Sequence, residues 1–248
     1  MCRIVNEDLR LRGYRRITGH FLTNELKRQR YLKAKALLRR HAHNGHRRIL
    51  FTDEKIFDVE ESFNRQNDRV YARSAQEAKE KKKCVQRAHH PASVMVWWGV
   101  SYEGVSEIHF CEKGVKTTAK VYQDTILEPI VKSLNVNLFN GDDWTFQQDS
   151  APAHKAKTTQ RWLKENVPDF IENKDWLSSS PDLNPLDYKL WSVLEAKVCQ
   201  KRHPNLKSLK HSLRKAAMEI PMEVVRASID DWPKRLKACV KSKGDHFE

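Results

Sequence analysis

The sequence lacks the marks of a membrane-spanning or secreted protein. Its longest apolar run covers only residues 94–100, whereas a membrane-spanning helix needs about 20 residues. The first eight residues contain no apolar stretch like that of a secretory signal. We therefore expect no membrane partner and a place in the cytosol or the nucleus.

Paired cysteines are also missing. Five cysteines are scattered along the chain, and none forms a CxxC pair. An odd number of isolated thiols indicates free cysteines in a reducing compartment rather than a disulfide framework. Cys84, His89 and His90 have a spacing faintly like that of a zinc site, but a second ligand pair does not follow. The pattern therefore favours free thiols over zinc.

Positive charge, by contrast, is abundant and unevenly distributed. The net charge is +14, and residues 1–48 hold 14 lysines and arginines against three acids, so that the other 200 residues contribute only +3. Such a surface suits a phosphate polymer, because each neutralised phosphate releases counterions. We interpret residues 1–45 as a basic arm for nucleic acid and residues 46–248 as the body. The competing interpretation is that a basic helix at residues 23–40 packs on the body or on a second protomer, with its charges merely solvated.

A helix is predicted within this arm. Thr23 is a suitable N-cap, and Leu26, Tyr31, Ala34 and Leu37 form an approximate apolar stripe, with basic residues including Arg30 placed elsewhere. The turn signal at residues 43–45 ends the helix. The arm is therefore expected to contain a basic linker helix.

The body has the pattern of an α/β protein. Strands are predicted at residues 48–53, 94–100, 106–111, 144–148 and 169–171, with further strand structure around 68–72 and a charged loop or helix at 77–83. Helices are predicted at residues 117–134, 157–166, 185–198, 205–220 and 222–231, the last ending near Pro233. Because a hairpin precedes alternating strands and helices, we expect a mixed sheet flanked by helices.

Three acids occupy similar places in this pattern. Asp53 ends the first predicted strand, Asp149 follows the strand at 144–148, and Asp187 lies in the first turn of a helix. Sites in open α/β sheets form beyond the carboxyl ends of the strands. Carboxylates gathered there repel one another unless divalent cations lie between them, and hard oxygen ligands suit Mg²⁺. Two such ions can promote a phosphoryl displacement.

Each acid also has an ordinary structural interpretation. Asp53 could be a turn or cap residue, Asp149 could form an Asx-turn, and Asp187 could simply favour a helix N-terminus. Glu54 competes with Asp53, but strand alternation directs its side chain to the opposite face. Spacing alone therefore leaves the assignment open.

Three sequence blocks resolve this choice. They are residues 51–55 (FTDEK), 147–154 (QQDSAPAH) and 180–188 (SPDLNPLDY). In this order they resemble the three signature blocks of mariner-superfamily transposases, and the resemblance covers essentially the whole chain. Thirty-seven residues separate Asp149 from Asp187, which resembles a mariner-like branch whose third acid is Asp. Ser150 stands where many relatives have Asn, a conservative departure.

The resemblance implies an RNase H-like fold and a cut-and-paste mechanism. It implies that Asp53, Asp149 and Asp187 are the catalytic residues and hold two Mg²⁺ or Mn²⁺ ions. The implied partners are double-stranded DNA, as transposon ends and target, and a second copy of the chain in a homodimer. No small-molecule substrate is implied, and the expected location is the nucleus.

The N-terminal residues are similar to part of a DNA-recognition module. Residues 1–22 resemble the end of a helix-turn-helix domain and its linker, so the chain is expected to start inside that module and to be truncated. His154 follows Asp149 closely and could approach DNA, although a structural loop histidine is an equal alternative. The candidate DNA contacts are Arg15, Arg16, Lys27, Arg28, Lys33, Arg39, Arg40 and His154.

Two rival functions are considered. A different metal nuclease of the same fold, such as a ribonuclease H or a resolvase, is disfavoured by the block at 180–188. A non-catalytic DNA-binding remnant of a transposon is disfavoured by the presence of all three acids and favoured by the incomplete N-terminal module. Trp97 and Trp98, in an apolar strand, are predicted to be core residues rather than platforms for base stacking.

Overall fold

A mixed sheet forms the centre of the molecule, as predicted. The computed structural model describes residues 20–60, 70–80, 88–111 and 118–247. Within these, the strands are β1 (Ile49–Asp58), β2 (Ser93–Val100), β3 (His109–Phe110), β4 (Thr145–Gln147) and β5 (Asp169–Phe170). Their order across the sheet is β3-β2-β1-β4-β5. The β1–β2 and β2–β3 pairs are antiparallel, whereas β1–β4 and β4–β5 are parallel.

Helices cover both faces of this sheet. They are α1 (Asn24–Arg40), α2 (Ala75–Glu80), α3 (Ala119–Tyr122), α4 (Lys132–Asn137), α5 (Pro152–Lys155), α6 (Lys157–Asn166), α7 (Trp191–Val198), α8 (Leu206–Met218) and α9 (Met222–Lys241). A π-helical segment, Gln123–Val131, joins α3 to α4, and another, Leu186–Leu190, leads into α7. The Thr23 hydroxyl accepts a hydrogen bond from the Leu26 backbone N–H and caps α1, as predicted.

Alternation along β1 divides the apolar side chains between two cores. Phe51 joins a core with α1 and α7–α9, whereas Leu50 joins a core with α3, α4 and α6 on the other face. Ala34 and Leu37 of α1 belong to the first core. Helix α1 therefore packs on the body, and the predicted boundary after residue 45 does not separate α1 from that core.

Buried tryptophans fill both cores. Trp97 and Trp98 are fully buried on opposite faces of β2, one in each core. Their prediction as core residues is confirmed. Among the described residues no helix has both the length and the apolarity needed to cross a membrane.

Several predicted boundaries were wrong. Strand β1 continues past Asp53 to Asp58, because it pairs with β2 along its whole second half. Residues 70–72 form no strand, and residues 68–69 lie outside the described part. Helix α9 continues through Pro233 to Lys241, since Trp232 and Leu236 are both buried in the core. Core burial there outweighs the missing backbone donor of proline.

Candidate active site

The three predicted acids line one cleft at the end of the parallel strands. Strands β1 and β4 pair in parallel with Phe51 opposite Gln147. Two residues further on come Asp53, still within β1, and Asp149, just past the end of β4, so this register brings the two acids to the same cleft. Asp187 lines the same cleft, which has a volume of about 500 Å³. Tertiary pairing thus brings together residues that lie 96 and 38 positions apart in the sequence.

Asp187 reaches the cleft because the segment before it is attached to the sheet. The Asn184 side-chain amide donates to the Thr52 carbonyl over 3.2 Å, and its oxygen accepts from the Leu186 backbone N–H, also at 3.2 Å. The Asn184 side chain therefore contacts the first turn of the following helix and at the same time connects that helix to β1.

Asp53 and Asp187 are two acids of the cleft with raised pKa values. Burial, and then repulsion from Asp187, raises the pKa of Asp53 to about 8, although the Trp191 indole donates a 2.6 Å hydrogen bond to its carboxylate. Burial also raises the pKa of Asp187 to about 6, against the effect of a hydrogen bond with Asp53, and repulsion from Asp149 adds to the rise. Both groups thus resist ionisation in the isolated protein.

Asp149 is held in a different environment. Burial acts to raise its pKa, but hydrogen bonds from His154 and from the Ala151 backbone N–H lower it below the usual value. The Ala151 contact is the Asx-turn that the sequence allowed, so the structural interpretation and the site interpretation of Asp149 hold together. The pKa of this carboxyl is therefore shifted in the opposite direction from those of Asp53 and Asp187.

The donor set of the cleft fits a hard divalent cation. Four carboxylates, those of the three predicted acids and of Glu54, line one open space, and positive charge there would relieve the repulsion that opposes ionisation of Asp53 and Asp187. In the part of the chain that the structure describes, no group of three or more His, Cys, Asp or Glu side chains is close enough together to hold a metal ion.

His154 is buried beside the acids. It is 3% exposed, its Nδ1 lies 2.6 Å from the Asp149 carboxylate, and its Nε2 lies 3.4 Å from Glu54. Burial opposes protonation, but the contacts with Asp149 and Glu54 raise the pKa of His154 to about 10. The expectation of a direct DNA contact is therefore corrected, because the ring is enclosed by these acids and by Tyr122, 4.3 Å away.

Glu54 lies closer to the site than sequence reasoning suggested. Its side chain does point to the opposite face of β1 from Asp53, toward His154 rather than Trp191, as alternation predicts. It nevertheless lines the same cleft, because the cleft lies beyond the end of β4 and receives side chains from both faces of β1. Strand alternation separates the two acids without excluding Glu54 from the site.

Most of the predicted DNA contacts on α1 have partners within the protein. Lys27 pairs with Asp245 at 2.6 Å, Lys33 donates to the Trp176 carbonyl at 2.8 Å, and Arg40 pairs with Asp169 at 2.6 Å. Arg28 pairs with Glu25 within the helix at 3.0 Å, and Arg39 is exposed. These contacts favour the packing on the body that the competing interpretation predicts, but several of the charges are paired rather than merely solvated. Arg15 and Arg16 lie outside the described residues.

Arg30 departs furthest from its predicted environment. It was grouped with the solvent-facing cations, but it is only 2% exposed and pairs with Asp182 at 2.6 Å. Arg30 lies four residues before Ala34 and therefore shares the buried face of the helix. The apolar stripe is only approximate, so the sequence pattern did not reveal this.

Other residues of the cleft were not predicted. His20 and Lys155 contribute cationic or polar groups to its lining. Trp191 holds Asp53, and it could have been found from the sequence, because it follows Asp187 by four residues and shares its helical face. His20 carries no comparable signal, since only tertiary packing brings it to the cleft.

Comparison with known proteins identifies relatives of this chain. No family model matches it. It is 32% identical to the Tcb1 transposable-element transposase of Caenorhabditis briggsae over 65% of this chain and 56% of that protein. It is 28% identical to the Tc3 transposase of Caenorhabditis elegans over 80% of this chain and 57% of that protein. The chain therefore spans little more than half the length of these curated relatives.

Solved structures agree in fold. The Mos1 transposase paired-end complex with left transposon end matches with a TM-score of 0.79 at 21% identity, over 99% of this chain and 71% of that one. The Mos1 transposase catalytic domain, solved with raltegravir and Mn, matches with a TM-score of 0.71 at 22% identity, over 92% of this chain and all of that one. In sequence this chain is thus similar to transposases of the Tc1/mariner family, and over nearly its full length it has the RNase H-like fold of the Mos1 mariner transposase catalytic domain.

Proposed function

We propose that this chain is the catalytic domain of a cut-and-paste DNA transposase, which cleaves DNA strands and joins them to a target. The observation that carries the proposal is the convergence of Asp53, Asp149 and Asp187 on one cleft, through the β1–β4 register and the Asn184 contact with β1. The similarity to Tc1/mariner transposases supports the same function.

The proposed cofactors are two Mg²⁺ or Mn²⁺ ions, held by the same three carboxylates. A Mos1 catalytic domain solved with Mn supports the use of a divalent cation. When bound, such ions supply activation of the attacking oxygen and stabilisation of the leaving oxygen. The chain's own residues keep the ligands in place, because Trp191 holds Asp53 and His154 holds Asp149.

The proposed reaction uses the same cleft twice. Hydrolysis of a phosphodiester at a transposon end first frees a 3′-hydroxyl. That hydroxyl then displaces the 3′-oxygen at a target phosphate, so one phosphodiester replaces another and no covalent link to the enzyme is needed. His20 and Lys155 at the cleft, together with a net charge of +14, favour an anionic DNA partner.

The assembly and location follow from the same proposal. Cut-and-paste transposition acts on the two ends of one element, which a homodimer would hold together, and a Mos1 paired-end complex with a transposon end supports DNA ends as partners. We accordingly propose double-stranded DNA and a second copy of the chain as partners, and the nucleus as the site of action.

The test is metal-dependent cleavage and joining. The purified chain is incubated with supercoiled plasmid and labelled duplex ends, with Mg²⁺, Mn²⁺ or EDTA, and nicked and joined products are counted. Asp53→Ala, Asp149→Ala and Asp187→Ala should each abolish both products, because loss of a ligand removes the metal geometry. Asp143→Ala, at an exposed acid before β4, is the matched control and should retain activity.

Three outcomes would change the proposal. Near-normal cleavage by one of the three alanine variants removes that residue from the site. Cleavage without joining supports a plain nuclease of the same fold. DNA binding without any metal-dependent nicking supports the non-catalytic remnant instead.

A further inference from the structure

Arg30 is a buried cation with a full set of polar partners. Its Nη1 and Nη2 donate to the two carboxylate oxygens of Asp182, at 3.0 and 2.6 Å. Nη1 also contacts the Ser180 hydroxyl, and Nε donates to the Gly244 carbonyl at 3.0 Å. Each nitrogen of the guanidinium thus meets an oxygen, and those oxygens come from two distant parts of the chain.

Burying such an ion pair has a desolvation cost that the pairing does not always offset. Taking a guanidinium and a carboxylate out of water costs several kcal/mol per ion, and replacing a buried ion pair by apolar residues is often neutral or stabilising. Stability alone therefore gives little reason for Arg30. What a planar, forked guanidinium provides is orientation, because it fixes a carboxylate through two parallel hydrogen bonds.

The structure that Arg30 orients is residues 180–187, which we term the 180–187 segment. This segment begins at Ser180 and ends at the third acid of the cleft. Further along it, the Asp182 carbonyl accepts from Arg235 at 2.6 Å, and the Leu183 carbonyl accepts from Trp232 at 3.0 Å. Helix α9 therefore holds its backbone, β1 holds its Asn184, and Arg30 of α1 holds its first side chains.

We propose that Arg30 is a positioning residue, which fixes the 180–187 segment against α1 and α9 and thereby sets the place of Asp187 beside Asp53. Its effect on catalysis rests on the proposed function, but its effect on the segment does not. Helix α1 is then part of the catalytic architecture rather than a linker beside it.

The first test measures the segment directly by hydrogen–deuterium exchange. Arg30→Lys keeps the positive charge but loses the two-nitrogen contact of the guanidinium. Asp182→Asn loses the negative charge but keeps a side chain of the same size. Both should speed exchange in a peptide covering residues 180–190 at least tenfold, with exchange in β2 unchanged. Arg47→Lys is the matched control, because Arg47 makes a similar two-bond contact with Asp230 of α9 but does not touch the segment.

The second test measures the metal site without catalysis. Changes to residues that orient metal ligands typically weaken metal binding 10- to 100-fold. We expect Mn²⁺ binding, followed by electron paramagnetic resonance, to weaken about tenfold in Arg30→Lys and in Asp182→Asn. The double variant should be little worse than either single one, since both remove the same contact.

A loss of general stability must be separated from a loss of position. Val131→Ala removes buried volume on the opposite face of the sheet and provides a destabilised reference. At a temperature where all variants are folded, it should bind Mn²⁺ like the unmodified chain. If Arg30→Lys does not fold, Ser180→Ala removes the hydroxyl that contacts Arg30 and donates to the Ser178 carbonyl at 3.0 Å, and it should weaken Mn²⁺ binding about threefold.

The two proposals fail in different ways. Unchanged exchange in the segment and unchanged Mn²⁺ binding in folded Arg30→Lys, or in Ser180→Ala where it is needed, would overturn the positioning role. Equal weakening of Mn²⁺ binding in Val131→Ala would do the same, because it would reduce the role to stability. Failure of the unmodified chain to cleave DNA would overturn the proposed function alone, since the exchange result does not depend on cleavage.

Discussion

Replacing Asp53 by asparagine should stabilise the protein at neutral and alkaline pH. The unfolded chain ionises Asp near pH 3.9, whereas burial and the neighbouring Asp187 raise the folded pKa of Asp53 to about 8. Between these values the folded state binds more protons than the unfolded state. The free energy of unfolding therefore falls as pH rises from about 4 to about 8, and this loss is complete above pH 8. Asp53→Asn removes the titrating group and retains an acceptor for Trp191.

The size of the effect follows from the pKa difference. The rise from 3.8 to about 8 is roughly four units, and at about 1.4 kcal/mol per unit it corresponds to an upper limit of about 6 kcal/mol. Because Asp187 shares the repulsion and water reaches the open cleft, we expect about 2 to 4 kcal/mol at pH 8. The difference between variant and unmodified chain should vanish as the pH approaches 4.

The assay is urea unfolding at a series of pH values, followed by circular dichroism, without divalent cation. The control is Asp143→Asn, at an exposed acid outside the cleft, which should follow the unmodified chain at every pH. Adding Mg²⁺ should stabilise the unmodified chain above pH 7 more than it stabilises Asp53→Asn. If the free energy of unfolding depends on pH in the same way for Asp53→Asn and for the unmodified chain, the reasoning is refuted. That result would show that ionisation of Asp53 does not destabilise the folded state.

Three further changes test other parts of the structure. His154→Gln should weaken Mn²⁺ binding about 10- to 100-fold, as expected when the partner of a metal ligand is lost; unchanged binding would leave this histidine a purely structural role. Gly244→Ala should lower the melting temperature more than Gly141→Ala, because both have positive φ but only the first would place a Cβ 1.9 Å from an α1 carbonyl oxygen; equal losses would contradict that packing. Changing both Lys35 and Arg39, which are exposed on α1, to glutamine should reduce the salt dependence of DNA binding by up to about 1.8 in log–log slope, at about 0.9 per phosphate; an unchanged slope would show that this face does not touch DNA.

The sequence by itself determined the class of fold and predicted which three acids form the site. Apolar runs and helix caps are local features, so β2, α6 and the Thr23 cap of α1 could be predicted with little error. Ordered blocks around Asp53, Asp149 and Asp187 pointed to a family of metal-dependent enzymes, because such blocks retain their residue types even where the overall identity is low.

The tertiary structure decided which of the basic side chains are free of partners in the body and so available to bind DNA. Lys27, Lys33 and Arg40 looked like a DNA-binding face, yet each meets an oxygen of the body. The extension of β1 beyond Asp53 was likewise decided by pairing with β2, a strand about forty residues away. Composition gives the number of charges, and local sequence patterns indicate where strands form. Neither reveals the long-range contacts that pair a charge with its partner or one strand with another.

The environment of each site residue was also a tertiary outcome. Sequence placed Arg30 among solvent-facing cations and His154 near DNA, whereas the fold buries both beside carboxylates. Burial removes water from a charge and makes a partner obligatory, and that partner comes from a distant segment in the case of Arg30. The sequence therefore determined which groups could perform the chemistry, and only the packing of α1, α9 and the sheet decided which of them face the cleft and which hold the others in position.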